Sequence, residues 1–462
     1  MTNDQTSAPN IRYRWTVLVM LTLVYTFNFI DRQILVILQE PIKADLGLSD
    51  AQLGLLTGFS FALVYVTAGI PIAWLADRSN RRNIVAASLA FWSFMTAISG
   101  LVQNFGQLLA ARLGVGVGEA GGSPPSHSMI SDYFPPGSRG TALSFYSMGI
   151  YIGVLFGFAA GGWIAENFGW RNAFFVIGIP GILYALAVLW VVKEPKRGQF
   201  DVGGTPPKSS LSETMNCLRG RPTFWWISIG CAFTAFVSYG NGNFMPSFLM
   251  RNHGLSLAEV GAILGLISGL SGATGTFLGG FLADRLGVRD IRWYVWIPML
   301  GGITAMIPAY YTLLGENTTL IIAAMIPSQI LGALYLGPCI ATCHNLVSPG
   351  MRAMASAILY FVLNIIGLGL GPLTVGILSD AFASTFGEKQ PSLRHGHHPH
   401  YQPDRCLLFI NGCAQSETGS GDQPPGTGSL RIRHLEAVTR AYDPPSRIRI
   451  TGQTSVLVQL TL

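Results

Sequence analysis

Four charged side chains lie inside apolar sequence. Asp31 and Arg32 are neighbours in "YTFNFIDRQILVILQ" (Tyr25 to Gln39), and Arg112 and Glu119 bracket "RLGVGVGE". A charge at the centre of a bilayer-spanning helix costs roughly 2.5–3.5 kcal/mol on insertion scales, so such groups are kept for a purpose. Asp31 stands about 10 Å in from the end of its apolar run, and Arg112 about 8 Å in from the matching end of its own, at 1.5 Å per residue. The two are level and are expected to pair. Glu119 falls on the same helical face as Arg112, about 10 Å deeper. Arg32 points about 100° away from Asp31 and either snorkels outward or turns into the interior. Burial favours the neutral form of a carboxylate and a nearby arginine favours the charged form. Displacing that arginine, or occupying it with an anionic head group, therefore changes proton affinity. Asp31 and Glu119 are candidate proton-exchanging groups, and Arg112 is a candidate gate or anion binder. The alternative for the same residues is a static ion-pair network that fixes helix packing.

A second set of charges closes two apolar runs. "WLADRSNRR" carries Asp77, Arg78, Arg81 and Arg82, and "GGFLADRLGVRD" carries Asp284 and Arg285. Carboxylates there can pair with basic residues or helix ends and latch the molecule in one conformation; simple topology signals are the other explanation. Candidate cavity-lining groups are His127, Tyr151, Tyr239, Asn241, Asn243, Tyr335, His344, Tyr360 and Asn364. In "SYGNGNFMP" the glycines are expected to break a helix and expose carbonyls. Few charges project from the second half, so a lopsided cavity is expected, titratable on one wall and apolar-aromatic on the other. Such a cavity suits an amphipathic substrate with an anionic or polar head.

No His, Cys or Ser spacing supplies a nucleophile or metal site, and no P-loop occurs, so an enzyme is not expected. The six cysteines are scattered and suggest helix packing rather than a disulfide framework. No cofactor is implied; a proton gradient is the expected energy source.

These residues need membrane-spanning helices to hold them. Half of the 462 residues are hydrophobic and only 11% are charged, against roughly 25% charged in an ordinary globular chain. Apolar runs of about 20 residues, enough to cross a hydrocarbon core, recur along the chain. Eleven spans are read at 15–38, 51–76, 84–103, 107–132, 141–164, 171–192, 223–248, 256–282, 291–314, 318–346 and 353–382. Residues 1–14 form an N-terminal segment and 193–222 a polar linker, where "SLSE" (Ser210 to Glu213) opens a short amphipathic helix expected at the membrane surface. Sixteen Lys and Arg fall at the end holding the N-terminus and linker, against Lys43, Arg171 and Arg251 opposite. The positive-inside rule puts the N-terminus and linker in the cytoplasm. The net charge of +6 reflects that placement rather than a nucleic-acid partner. The partners expected are a lipid bilayer and a small amphipathic substrate, with a monomeric chain.

"LADR" occurs at residues 75–78 and again at 282–285, each time after the second helix of a half. Two six-helix halves related by a parallel repeat have this signature. The chain resembles the major facilitator superfamily over roughly residues 12 to 385. "WLADRSNRR" is similar to the family's loop motif, with Ala73 and Asn80 in place of common glycines; the second copy keeps Gly280 and Gly287. "RLGVGVGEA" resembles its fourth-helix motif. Gly149, Gly153, Gly157 and Gly161 resemble its fifth-helix motif, without the usual proline. "FIDRQ", "GVGEA" and "LADRSNRRN" together look like the Spinster branch. The resemblance implies two all-α bundles (15–192 and 223–382) with pseudo-two-fold symmetry, alternating access, a bacterial inner-membrane location and lysolipid-like substrates.

The family fold also implies a twelfth helix, but residues 383–462 are polar and atypical. His395, His397, His398 and His400 look like a metal tract. A one-base shift of the back-translated Arg394–Cys406 stretch permits an apolar run, so a frameshift, natural or from sequencing, is the preferred explanation. A truncated, weakly active transporter is one consequence.

Overall fold

The computed structural model describes residues 10–200, 211–348 and 351–386, for 77, 211, 353 and 383–386 the backbone alone. The twelfth-helix region, the histidine tract and the Ser210 cap therefore lie outside the described residues. The first half comprises α1 (Ile11–Ile37), α2 (Gln39–Leu46), α3 (Asp50–Gly54), α4 (Ser60–Arg78), α5 (Arg81–Ser99), α6 (Phe105–Glu119), α7 (Ser123–Tyr133), α8 (Pro136–Phe168) and α9 (Trp170–Val191). A π-helical turn, Leu55–Phe59, joins α3 to α4 without a break. After α10 (Leu211–Arg219) come α11 (Pro222–His253), α12 (Leu257–Gly287), α13 (Trp293–Leu314), α14 (Thr318–Gly332), α15 (Leu336–Asn345) and α16 (Arg352–Leu363), which runs through a second π-helical turn, Asn364–Leu370, into α17 (Gly371–Phe386). Among the described residues there is no strand, and eight helical stretches are long and apolar enough to cross a membrane. One end of the bundle carries the linker; the other is called distal below.

Local sequence sets the helix ends. Ser49 and Ser256 each close a capping box, with Gln52 and Glu259, and so start α3 and α12 at corresponding places in the two halves. The fourth pass breaks between α6 and α7, where Gly121 and Gly122 precede Pro124 and Pro125. Its repeat counterpart, the tenth, breaks between α14 and α15. Helix α11, by contrast, runs unbroken through Tyr239–Pro246, which corrects the expected break there. Glycine permits an open turn without requiring one, and in apolar surroundings an intact hydrogen-bond ladder is favoured. The Asn243 amide donates to the Tyr239 carbonyl one turn back, at 2.8 Å.

Helix α8 packs closely on two partners. A Cβ at Gly153 would lie 2.6 Å from the Thr26 carbonyl oxygen of α1, and one at Gly265 of α12 would lie 2.7 Å from the Leu155 carbonyl oxygen. Only glycine permits backbones this near. The first contact holds the first half together; the second joins the halves. In the linker, Leu218 of α10 is fully buried with Phe224 and Ala355, so this helix docks on the second half through its apolar side.

Candidate functional site

The four charges converge between α1 and α6. Asp31, Arg112 and Glu119 are each no more than 2% exposed. The Arg32 Nε donates to Glu119 Oε2 at 2.7 Å, while its guanidinium lies 5.0 Å from the Phe29 ring centre, 4.8 Å from Phe61 and 5.0 Å from Tyr65. Arg32 therefore turns inward and pairs with Glu119, where the expected pair was Asp31 with Arg112. Arg112 does lie level with Asp31, but it donates to the Asp31 backbone carbonyl at 3.2 Å, not to the carboxylate.

Helix direction explains the exchange of partners. Side chains lean toward their helix N-terminus and carbonyls point toward the C-terminus. Helices α1 and α6 are antiparallel. The side chains of Asp31 and Arg32 lean toward the linker end, toward Glu119, whereas Arg112 leans toward the distal end and meets a carbonyl. The Asp31 carboxylate instead faces Thr96 and Trp92 of α5, and neither of its oxygens makes a hydrogen bond of normal length. Glu119 ends α6 at the helix break, which places its carboxylate at mid-depth.

Aromatic groups surround this centre. Tyr25 stacks on Tyr146 at 4.5 Å, and His127 meets Tyr146 edge-on at 5.1 Å. Tyr65 and Tyr239 approach Arg32, Tyr335 and Tyr360 approach Tyr239, and Tyr151 lies near Tyr360. Tyr151 also donates to Thr276 of α12 at 2.7 Å. Of the nine candidate lining groups, Tyr239 thus lies toward Arg32, and Tyr151, Tyr335 and Tyr360 group around Tyr239. Asn243 is buried against its own helix, His344 bonds to Ser356 at 2.7 Å, and Asn364 begins the second π-helical turn. Asn241 is half-buried two residues, about half a turn, from Tyr239. Tyr25, Phe29, Phe61 and Tyr65 were not singled out in the sequence, although Tyr25 and Phe29 stand less than two turns before Asp31 on its own helix.

At the linker end, Arg81 is the hub. It is 1% exposed and donates to Glu194 at 2.7 Å, Asp132 at 2.5 Å, Ser128 at 2.8 Å and the Pro195 carbonyl at 3.1 Å. Arg197 donates to the Ala76 and Ser79 carbonyls that end α4. These bonds tie α4, α5, α7 and the chain after α9 within the first half. Arg78 stacks on Trp74 of its own helix at 4.1 Å, Arg82 bonds to Asn83, and Asp284 accepts from Tyr294 at 2.8 Å. Arg285 is exposed. The sequence signal for Asp132 and Glu194 was their position at span ends, facing the Arg81 run.

A two-half bundle of membrane-length helices, with an ion pair and an extra carboxylate buried at its centre, is the architecture of a membrane transporter. The chain belongs to the Major Facilitator Superfamily, whose family model matches residues 21–372. It is 36% identical over 376 residues to an "MFS-type efflux pump" of Mycolicibacterium smegmatis, covering 81% of this chain and 87% of that protein. It is 30% identical to a Bacillus subtilis protein named "Probable galactarate/D-glucarate transporter", over 65% of this chain and 72% of the other. A crystal structure of a bacterial homolog to the human lysosomal transporter Spinster, inward-facing and unoccupied, superposes with a TM-score of 0.77 at 38% identity, over 82% of this chain and 85% of that one.

Proposed function

We propose that the protein is a proton-coupled secondary transporter of an amphipathic organic anion, working by alternating access in the bacterial inner membrane with its linker end in the cytoplasm. The observation that carries this is the Arg32–Glu119 pair, with the buried Asp31 carboxylate next to it in sequence making no ion pair of its own. Arg32 is the one member of the set with appreciable exposure, 18% of its side chain. An anionic head group reaching it competes with Glu119 for the guanidinium. A carboxylate that loses its counter-charge in apolar surroundings binds a proton, so anion arrival and protonation are linked. The tyrosines and phenylalanines around Arg32 supply an apolar wall for a hydrophobic body. The Asp31 carboxylate, beside Thr96 and Trp92, supplies a second place for the proton.

Uptake into proteoliposomes under an imposed pH gradient tests this, with a lysophospholipid, a sphingoid-base phosphate and glucarate compared. The gradient is expected to accelerate flux of the amphipathic anions at least tenfold. Asp31→Asn and Glu119→Gln should each abolish that acceleration. Flux of every anion indifferent to the gradient removes proton coupling; glucarate as the preferred substrate removes the amphipath.

A further inference from the structure

The bonds described between the halves gather toward the distal end, and two of them are the same device used twice. The Asp380 carboxylate of α17 accepts from the backbone N–H of Asp50 at 3.0 Å and of Ala51 at 2.8 Å, capping the start of α3 in the opposite half. The Glu166 carboxylate, in the last turn of α8, accepts from the Ala258 N–H at 2.5 Å, capping the start of α12 in the opposite half. Ala51 and Ala258 each lie 24 residues before the leucine that opens their LADR. They are equivalent positions of the repeat, and α8 and α17 are its fifth and eleventh passes. Each half thus sends one carboxylate across to the positive end of a helix in the other half.

A third link reinforces the Asp380 side. Asp50 accepts from both terminal nitrogens of Arg251, at 2.8 and 2.9 Å, and from Ser379 at 2.6 Å, while Arg251 also pairs with Glu40 at 2.6 Å. The partners of Asp380 are 330 and 329 residues away in sequence and that of Glu166 is 92 away, so neither is a local cap. An N–H at a helix start can be satisfied by water or by a residue of its own chain neighbourhood, and both helices already have a serine cap. The trans carboxylates are therefore not needed to start these helices; they fasten one half to the other.

Resting on the alternating-access function proposed above, we infer that Glu166 and Asp380 form a symmetric pair of clamps that hold the distal end shut, and that both release when it opens. Spin labels at Gln103 and Glu316, exposed distal loop positions in opposite halves, report the opening in a cysteine-free background. No substrate is required, so the measurement fails or succeeds separately from the transport assay. Removing one cap is expected to raise the ratio of open to closed molecules about fivefold, and removing both about twenty-five-fold, as for independent N-cap losses. The variants are Glu166→Ala, Asp380→Ala and the double substitution. Asp45→Ala breaks a distal ion pair with Arg171 that lies wholly within the first half, and should leave the distances unchanged. An unaltered distribution in the folded double variant overturns the inference, as does an equal lengthening in Asp45→Ala. If the double variant does not fold, Glu166→Gln and Asp380→Asn carry the test. They keep shape and lose charge, and should lengthen the distal distance at least twofold in population; no lengthening overturns the inference.

Discussion

At the scale of residues, the Arg32–Glu119 bond matters because of what each partner becomes alone. Glu119 is fully buried and Arg32 mostly so. Removing one member of a buried pair costs about 3–5 kcal/mol, and replacing both by neutral groups costs far less; the partial exposure of Arg32 lowers the first figure to about 2–3 kcal/mol. Glu119→Gln is therefore expected to lower Tm by several degrees, and Arg32→Gln combined with it to regain most of that loss while transport stays absent. Thermal unfolding of the purified variants, set beside flux, separates the two roles. A double variant that recovers transport along with stability would leave the pair a packing element only. The depth of these residues was legible in the sequence, since 1.5 Å per residue set Arg112 level with Asp31. Their pairing was not, because it depends on which way side chains lean on antiparallel helices. Arg81 teaches the same lesson. Its run of charges marked the linker end, but its partners Asp132 and Glu194 follow from how α7 and α9 end beside α5.

At the scale of elements, α8 uses one helix to serve two purposes. Its Gly153 faces α1, inside the first half, and its Leu155 carbonyl faces Gly265 of α12, between the halves. A methyl group or larger has no room at either place, since the predicted Cβ contacts fall well below normal approach. The consequences should differ. Gly153→Val must spread two helices of one folded half, so an unfolding loss of about 1–3 kcal/mol, typical of overpacking, is expected. Gly265→Val presses on a surface that separates during transport. It should destabilise the distally closed arrangement and favour the open one, with a smaller change in Tm. Tm for each, together with the Gln103–Glu316 distance, checks this; a larger Tm loss for Gly265→Val than for Gly153→Val would contradict it. The glycine stripe of α8 was visible in the sequence as a four-residue repeat, and its use in packing follows from spacing alone. The unbroken course of α11 was not visible, because the same glycines that allow a break also fit a helix that neighbours hold straight. The clamps were hidden for another reason. Asp380 and Asp50 look like ordinary span-end charges until the fold brings the eleventh pass against the second.

At the scale of the whole molecule, charge and aromatic residues agree on how the bundle sits in a bilayer. Trp74, Trp190 and Trp226 are 58%, 83% and 70% exposed, and all lie near the linker ends of their helices, where amphipathic rings meet head groups. Trp163 and Phe168 of α8 take the corresponding place at the distal end. Among the described residues, the three Lys and Arg of the distal loops are each paired with a carboxylate: Lys43 with Asp50, Arg171 with Asp45, and Arg251 with Asp50 and Glu40. The positive-inside rule counts Lys and Arg rather than net charge, so their excess at the linker end is what is expected to set the orientation. A cysteine placed at Gln103, distal and exposed, should react with a membrane-impermeant maleimide on intact cells. One placed at Arg289, exposed between α12 and α13 at the linker end, should react only after the cells are permeabilised. The ratio of labelling before and after permeabilisation should differ at least tenfold between the two sites, and the reverse pattern would invert the orientation and place the Arg81 network outside.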